Sequence, residues 1–340
     1  MAEPRTISTE ILYDGVKAGW ASELLESISY TDNASGKSDE IILTFCARAT
    51  DMLINSMPFE KEHELDVTYY LHNWKKDGDR LRYHCGAFTV DDIRFTGTPR
   101  VCTIKGVSIP AAESFQTVPS SKSWGSVTLK QIAQEMIVKY GMTNLHYWGA
   151  EPVIENVEQD NKTDSAFLNE ICEKQGMFLK VYKKALVIFD KTIYEPRGVT
   201  ASYRESDFDG NYDWESTLVG TYTGATIAYT VPKEKGQKEQ QVIRATVGEG
   251  PRMLYINQKA ESEADAQRIA KAKVNSENEK AVKISFSAME DPNIVATCNV
   301  AWEDMGVMNG KYFVEKVTHN ISGSSGSKMK VSGYKIFNRL

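Results

Sequence analysis

A short pattern that occurs twice constrains what this chain can fold into. Residues 86–93 read GAFTVDDI and residues 310–317 read GKYFVEKV, so both follow the order glycine, any, aromatic, any, valine, acidic, any, β-branched. Aromatic and β-branched residues alternate with a period of two, which is typical of a β-strand. The pattern predicts a duplicated β-unit with these equivalent positions: Gly86 and Gly310, Phe88 and Tyr312, Val90 and Val314, Ile93 and Val317.

Turn signals precede both copies. Asp77-Gly78 stands before the first and Asn309-Gly310 opens the second, and these dipeptides tolerate the positive φ of a tight hairpin turn. We therefore expect each copy to be the outgoing strand of a hairpin, with Phe88 and Tyr312 at equivalent buried positions. Chance similarity is the alternative, because only two of the eight positions are identical.

The bulk properties narrow the class of protein. A chain of 340 residues can hold two or three domains with separate cores. A net charge of −6 argues against a protein that grips nucleic acid along its length, because such binding needs a basic face. The first residues lack a basic and apolar leader, and no apolar run is long enough to span a membrane, so we expect synthesis in the cytoplasm.

The pattern of elements predicts a mainly β protein with an α+β insert. Residues 1–107 read as a first tube-like β-barrel because short strands alternate with Gly, Asp and Asn turns. Residues 108–197 read as a compact α+β domain with two helices, and we expect Asp164 to cap the second helix. Residues 198–340 read as a second β-barrel with one packed helix. We expect two similar small antiparallel β-barrels and one α+β domain.

The sequence offers few candidates for catalysis. The five histidines show no metal-ligand spacing, and His84 and Cys85, as strand neighbours, point to opposite faces. The densest acidic cluster contains Asp207, Asp209, Asp213 and Glu215, interleaved with aromatic residues. Such carboxylates can serve a glycoside hydrolase, or they can lie in a solvated loop. We assign no catalytic, cofactor-binding or metal-ligating residue and expect no enzyme activity.

A charged tract at residues 232–240 is the candidate partner contact. It carries Lys233, Lys235 and Lys238 beside two glutamates and has no apolar anchor. Such a segment gains little by packing on its own chain. We expect an exposed hairpin tip that faces a partner protein.

The order of these elements resembles the late control D family, the baseplate hub proteins of contractile phage tails, which are related to the upper part of type VI secretion spike proteins. The similarity covers nearly the whole chain, although each motif is loose. The matching segments are 24–32 with 38–43, 86–93 with 99–106, 128–141 with 158–176, and 266–275 with 310–319.

This resemblance implies a virion structural protein, a homotrimer that adapts a six-fold tail tube to a three-fold spike. It implies contacts with the tail tube, spike and tape-measure proteins and with other baseplate proteins, with DNA present only in transit. The location would be the baseplate of a phage tail or of a headless tail-like bacteriocin (tailocin). A peptidoglycan hydrolase of the tail and another tube or adaptor component remain the alternatives.

Overall fold

The computed structural model describes residues 3–55, 58–108, 114–182, 184–230, 242–322 and 326–340. Its strands are β1 Thr6–Tyr13, β2 Val16–Lys17, β3 Leu25–Asn33, β4 Glu40–Phe45, β5 Glu64–His72, β6 Arg80–Thr96, β7 Val101–Val107, β8 Pro119–Trp124, β9 Val127–Thr128, β10 Leu145–Trp148, β11 Val153–Ile154, β12 Val157–Thr163, β13 Met177–Tyr182, β14 Ala185–Asp190, β15 Ala201–Tyr203, β16 Asp213–Ser216, β17 Gly224–Thr230, β18 Val242–Gly248, β19 Met253–Ile256, β20 Val282–Met289, β21 Asn299–Trp302, β22 Gly310–Ser322 and β23 Lys328–Lys335. Its helices are α1 Gly19–Leu24, α2 Ala47–Asn55, α3 Ser114–Thr117, α4 Leu129–Tyr140, α5 Asp164–Lys174, α6 Lys191–Tyr194 and α7 Glu263–Asn278.

The largest sheet draws strands from both ends of the chain. Its order is β16-β20-β23-β22-β3-β4-β7-β6-β5-β1-β2, and β21 pairs with β22 while β15 pairs with β21. We call β1 and β3–β7 the N-terminal unit, and β15, β16 and β20–β23 the C-terminal unit. The two units meet where β22 pairs with β3. The mainly β, partly α+β class predicted from the sequence is confirmed.

Each unit has its own apolar core, produced by strands that alternate buried and exposed residues. In β7 the residues Cys102 and Ile104 are buried, and in β23 the residues Met329 and Val331 are buried. This alternation is the period of two that a sheet with one covered face requires.

The α+β domain between the units is built from α4, α5 and the sheet β10-β14-β13. The N-cap of α4 is Thr128, which forms a reciprocal capping box with Gln131, and its C-cap is Gly141 in the left-handed region. In α5 the cap is Thr163, whose hydroxyl accepts from the backbone of Ala166, so the prediction that Asp164 caps this helix was wrong by one residue.

A further core lies between β16 and β20 in sequence. Here α7 packs on the three-stranded sheet β18-β17-β19, with Ala266, Ile269 and Ala270 buried beneath it. The described part of segment 198–340 therefore contains at least two hydrophobic cores, and α7 covers a small sheet of its own rather than the large sheet. The boundaries 1–107, 108–197 and 198–340 stay a prediction.

Candidate functional site: repeated strands and their edges

The two copies of the sequence pattern have corresponding neighbours in the sheet. Each copy lies on the long strand of its unit, β6 or β22. In β6, the residues opposite Phe88, Val90 and Ile93 are Leu65, Gly106 and Ile104, in that order. In β22, the residues opposite Tyr312, Val314 and Val317 are Val300, Gly333 and Val331. Gly86 faces Val67, and Gly310 faces Trp302. The strand orders β1-β5-β6-β7-β4-β3 and β15-β21-β22-β23-β20-β16 also correspond.

Both copies share an irregularity that sequence reasoning missed. The register shifts between Val90 and Asp92 in β6, and between Val314 and Lys316 in β22. Each shift is a β-bulge, which inserts one residue and bends the strand. The inserted residue is the acidic residue of the pattern in both copies, Asp91 and Glu315. This shared acidic residue was the signal in the sequence from which the bulge could have been predicted.

A second shared irregularity lies opposite the bulges. Glu62 and Thr297 both adopt positive φ, at 71° and 77°. Their backbone N–H groups donate to the carbonyls of Val90 and Val314, at 2.9 and 2.8 Å. The outermost strands differ, because β1 runs antiparallel to β5 whereas β15 runs parallel to β21.

Phe88 and Tyr312 are both buried in the cores of their units. The ring of Phe88 meets Tyr30 edge-on, with centroids 5.9 Å apart. The hydroxyl of Tyr312 donates to the carbonyl of Met308 and accepts from Nε1 of Trp214 at 3.1 Å.

The joint between β3 and β22 combines backbone pairing with side-chain contacts. His319 stacks on Tyr30 with ring centroids 5.8 Å apart, and Thr318 lies 3.2 Å from Thr31 between hydroxyl oxygens. The imidazole Nδ1 of His319 is 2.7 Å from Oε1 of Glu290, and both side chains are fully buried. The hydroxyl of Tyr69 on β5 donates to the same Oε1 of Glu290 at 2.8 Å, so this buried carboxylate links the two units.

Among the strand edges that lack a partner within the described residues, two belong to the equivalents of β22 and β3. The last part of β6, residues 92–96, pairs only with β7, because β5 pairs with β6 no further than Thr89. Likewise β16 pairs only with β20 among the strands that the structure describes. Unpaired backbone N–H and C=O groups at such an edge are templates for pairing with another strand.

A half-buried lysine connects the N-terminal unit to the α+β domain. The ammonium group of Lys180 on β13 binds Asp32 and lies 3.0 Å from Asp39. Burial raises the pKa of Asp39, while the charge of Lys180 opposes that rise. Burial lowers the pKa of Lys180, but the two carboxylates outweigh it and the net pKa of Lys180 is raised. The pair of carboxylates and the lysine thus form one ionic unit.

A second ionic cluster connects α6, α7 and the C-terminal residues. The guanidinium of Arg339 donates to Glu195 at 2.6 Å and to Glu279 at 2.8 Å. Lys191 completes the cluster with Glu279 at 2.7 Å, and Tyr334 donates to Glu195. Since the partners of Arg339 are buried and Arg339 itself is half-buried, the cluster favours one relative position of the elements that carry it.

The acidic cluster at residues 207–215 serves the local structure. Asp207 accepts from the backbone N–H of Arg204 at 2.8 Å, and Asp209 forms an ion pair with Lys328 at 2.6 Å. Asp213 and Glu215 lie on β16, and the intervening aromatic rings Phe208 and Tyr212 pack against Trp302.

The remaining candidates for chemistry are dispersed. Cys85 is buried and its pKa is raised by burial, which disfavours a reactive thiolate, while His84 binds Asp66 at 2.8 Å.

Within the described ranges, no three His, Cys, Asp or Glu side chains come together as metal ligands would. The helices of the described part of the chain are too short or too polar to cross a membrane. Lys233, Lys235 and Lys238 lie outside the described residues.

Comparison with known proteins identifies the fold. No protein-family model and no curated protein matches the chain. Among solved structures, the 43 kDa tail protein of prophage MuSo2 from Shewanella oneidensis superposes with a TM-score of 0.69 and 14% identity, covering 97% of this chain and 98% of its own. The tail protein from Neisseria meningitidis MC58 gives a TM-score of 0.67 and 11% identity, covering 97% of both chains.

A third structure comes from a secretion system. The E. coli c3393 protein, described as a component of the type VI secretion system with structural similarity to T4 bacteriophage tail proteins gp27 and gp5, gives a TM-score of 0.55 and 10% identity. The match covers 93% of this chain and 74% of c3393. The resemblance to the late control D family is confirmed at the level of fold: this chain has the fold of phage tail proteins and of a type VI secretion component.

Proposed function

We propose that this chain is the baseplate hub of a contractile tail, a homotrimer that joins a six-fold tail tube to a three-fold spike. The observation that carries the proposal is the presence of two units with the same strand order, joined edge to edge in one chain. Three chains with two units each present six similar units, which matches six tube subunits while the assembly keeps three-fold symmetry.

The comparisons support a place in a tail. Two proteins named as tail proteins share the fold over nearly their whole length. The proposed partners are the tail tube protein on one face, the spike protein on the other, and the tape-measure protein and other baseplate proteins around them. DNA would pass through in transit only, as the net charge of −6 favours. The proposed location is the baseplate of a phage tail or of a headless tail-like particle.

The proposed role is structural and not enzymatic. Two of the four clustered carboxylates are engaged elsewhere, since Asp207 binds backbone and Asp209 binds Lys328, which leaves Asp213 and Glu215 to be tested. A zymogram on purified cell walls tests this: clearing by the wild-type protein that disappears in the Asp213→Asn, Glu215→Gln double variant would establish the hydrolase instead.

Native mass spectrometry and negative-stain imaging of the purified full-length chain test the assembly. We expect a mass of three chains and a ring with three-fold symmetry and six lobes. A hexamer of equivalent chains would instead support a tube or adaptor protein. A monomer at micromolar concentration that is also absent from purified tail particles would refute the proposal.

A further inference from the structure

The joint between β22 and β3 shows how two of these units meet within one chain. β22 pairs with β21 up to Phe313, and after its bulge the same edge of β22 pairs with β3. Seven residue pairs face each other across this joint, from Lys316 with Asn33 to Ser322 with Ser27. The bulge thus ends one pairing and opens an edge for the next unit.

The same edge is open on the equivalent strand of the N-terminal unit. β6 pairs with β5 up to Thr89, and after its bulge residues 92–96 pair only with β7 in the described part of the chain. The equivalent of β3 is β16, which among the described strands pairs only with β20. Each chain therefore has one unpaired edge on β6, equivalent to the edge of β22 in the joint, and one unpaired edge on β16, equivalent to the edge of β3.

We infer that residues 92–96 of one chain pair with residues 213–217 of a second copy, antiparallel and in the register of the internal joint. The inference rests on the proposed trimer and specifies its interface. The register follows from two correspondences. First, equivalent positions on β6 and β22 differ by 224 in residue number. Second, Trp214 corresponds to Tyr30, because each faces an isoleucine that in turn faces the glycine opposite the bulge, Gly333 or Gly106.

The transferred register produces five residue pairs between chains. They are Asp92 with Thr217, Ile93 with Ser216, Arg94 with Glu215, Phe95 with Trp214 and Thr96 with Asp213. Two of the pairs are chemically complementary. Arg94 meets the opposite charge of Glu215, and Phe95, which is 40% exposed in the single chain, meets the ring of Trp214.

These pairs repeat the roles of their internal counterparts. Phe95 and Trp214 take the positions of His319 and Tyr30, which stack in the internal joint. Arg94 and Glu215 take the positions of a threonine pair whose hydroxyls lie 3.2 Å apart. Opposite charges and aromatic pairs directly across an antiparallel ladder are favourable, and a shift of one residue would separate both pairs and turn their side chains to opposite faces.

The contact is heterologous, so it makes a ring or a filament. β6 and β16 are seven strand positions apart in the sheet order, and each chain offers one edge of each kind. A contact between different surfaces closes into a ring when its rotation fits. Three chains would then alternate three internal joints with three joints between chains.

Cysteine cross-linking of the full-length chain tests the register. The Arg94→Cys, Glu215→Cys double variant should form a covalent trimer under mild oxidation, seen on a non-reducing gel, and each single variant should not. The matched control is Arg94→Cys with Ser216→Cys, which is one residue out of register and should cross-link far less. Equal cross-linking of both pairs would overturn the register.

Charge exchange tests the same pair without a covalent bond. Arg94→Glu or Glu215→Arg should weaken trimer association about tenfold by analytical ultracentrifugation, and the double exchange should restore it. Arg82→Glu is the control, because Arg82 lies on β6 before the bulge and faces Tyr70 of its own chain.

The outcomes separate this interface from the proposed function. A trimer that neither cross-links nor responds to charge exchange would overturn the interface and leave the hub proposal standing. A chain that is monomeric in solution and in tail particles would overturn both. Cross-linked ladders longer than three chains would overturn the closed ring.

Discussion

Phe88 and Tyr312 test the repeat at the scale of single residues. Replacing either by Ala should lower the free energy of unfolding by about 3 kcal/mol or more, because each leaves a cavity in a packed core. Urea unfolding followed by fluorescence measures the loss. Tyr312→Phe is the matched control and should cost about 1 kcal/mol, since it removes only the hydroxyl that bonds Met308 and Trp214. A loss below 1 kcal/mol for both Ala variants would contradict this prediction.

Asp164 makes the stability depend on pH. Burial alone would raise its pKa, but hydrogen bonds from Gln159, Lys139, Ser120 and Tyr140 outweigh burial and lower the pKa to about 2. A carboxyl with a lowered pKa stabilises the fold above its ordinary value of 3.8, and this contribution is lost as the pH falls toward 2.

We expect Asp164→Asn to be about 2 kcal/mol less stable than the wild type at pH 7, with the difference shrinking between pH 4 and pH 2. Denaturant titrations across that range measure it. Glu173→Gln, an exposed carboxylate on the same helix, is the control and should show little change. A difference that is constant with pH would mean that packing and not charge is responsible.

Gly106 and Gly333 act at the scale of elements, because each lets two strands approach closely opposite its bulge. A Cβ at Gly106 would lie 2.8 Å from Cβ of Phe88, and one at Gly333 would overlap the carbonyl of Phe313. Gly106→Ala and Gly333→Ala should each destabilise by about 1–3 kcal/mol, since the strands must shift. Gly97→Ala is the control, because nothing lies near its Cβ position. Thermal unfolding of the three variants decides, and equal midpoints would refute the prediction.

Lys180 connects elements of different parts of the chain. Lys180→Met should destabilise by about 3–5 kcal/mol at pH 7, because Asp32 and Asp39 would remain buried without their cation. The loss should be smaller at pH 5, where the raised pKa of Asp39 allows it to become neutral. Unfolding curves at both pH values measure this. A loss that grows at pH 5 would contradict the assignment.

The charged tract matters at the scale of the whole molecule. Thr230 and Val242 face each other at the ends of β17 and β18, so a short turn can replace residues 232–240. We expect the deletion to leave thermal unfolding unchanged and to weaken incorporation into tail particles, because Lys233, Lys235 and Lys238 are proposed to contact a partner. Replacing the three lysines by Ser in the full-length chain is the control for charge alone. Loss of folding on deletion would show that the tract is structural.

Local patterns predicted the elements well. The capping box at Thr128 and the stop at Gly141 gave the bounds of α4, since capping depends on residues three or four apart. The period of two located β6 and β22 and the buried faces of Phe88 and Tyr312. The separate sheet beneath α7 was not predicted, because the apolar face of a helix does not say which sheet it covers.

The sequence by itself determined the alternation of buried and exposed residues, the helix caps and the eight-residue pattern, because these depend on neighbours along the chain. Only the tertiary structure decided that β3 pairs with β22, with Asn33 opposite Lys316, and that Lys180 lies between Asp32 and Asp39. Backbone pairing between such distant strands uses groups that every residue carries, so it leaves no local signature. The open edges of β6 and β16 follow from that pairing, and for the same reason they could be recognised only in the folded chain.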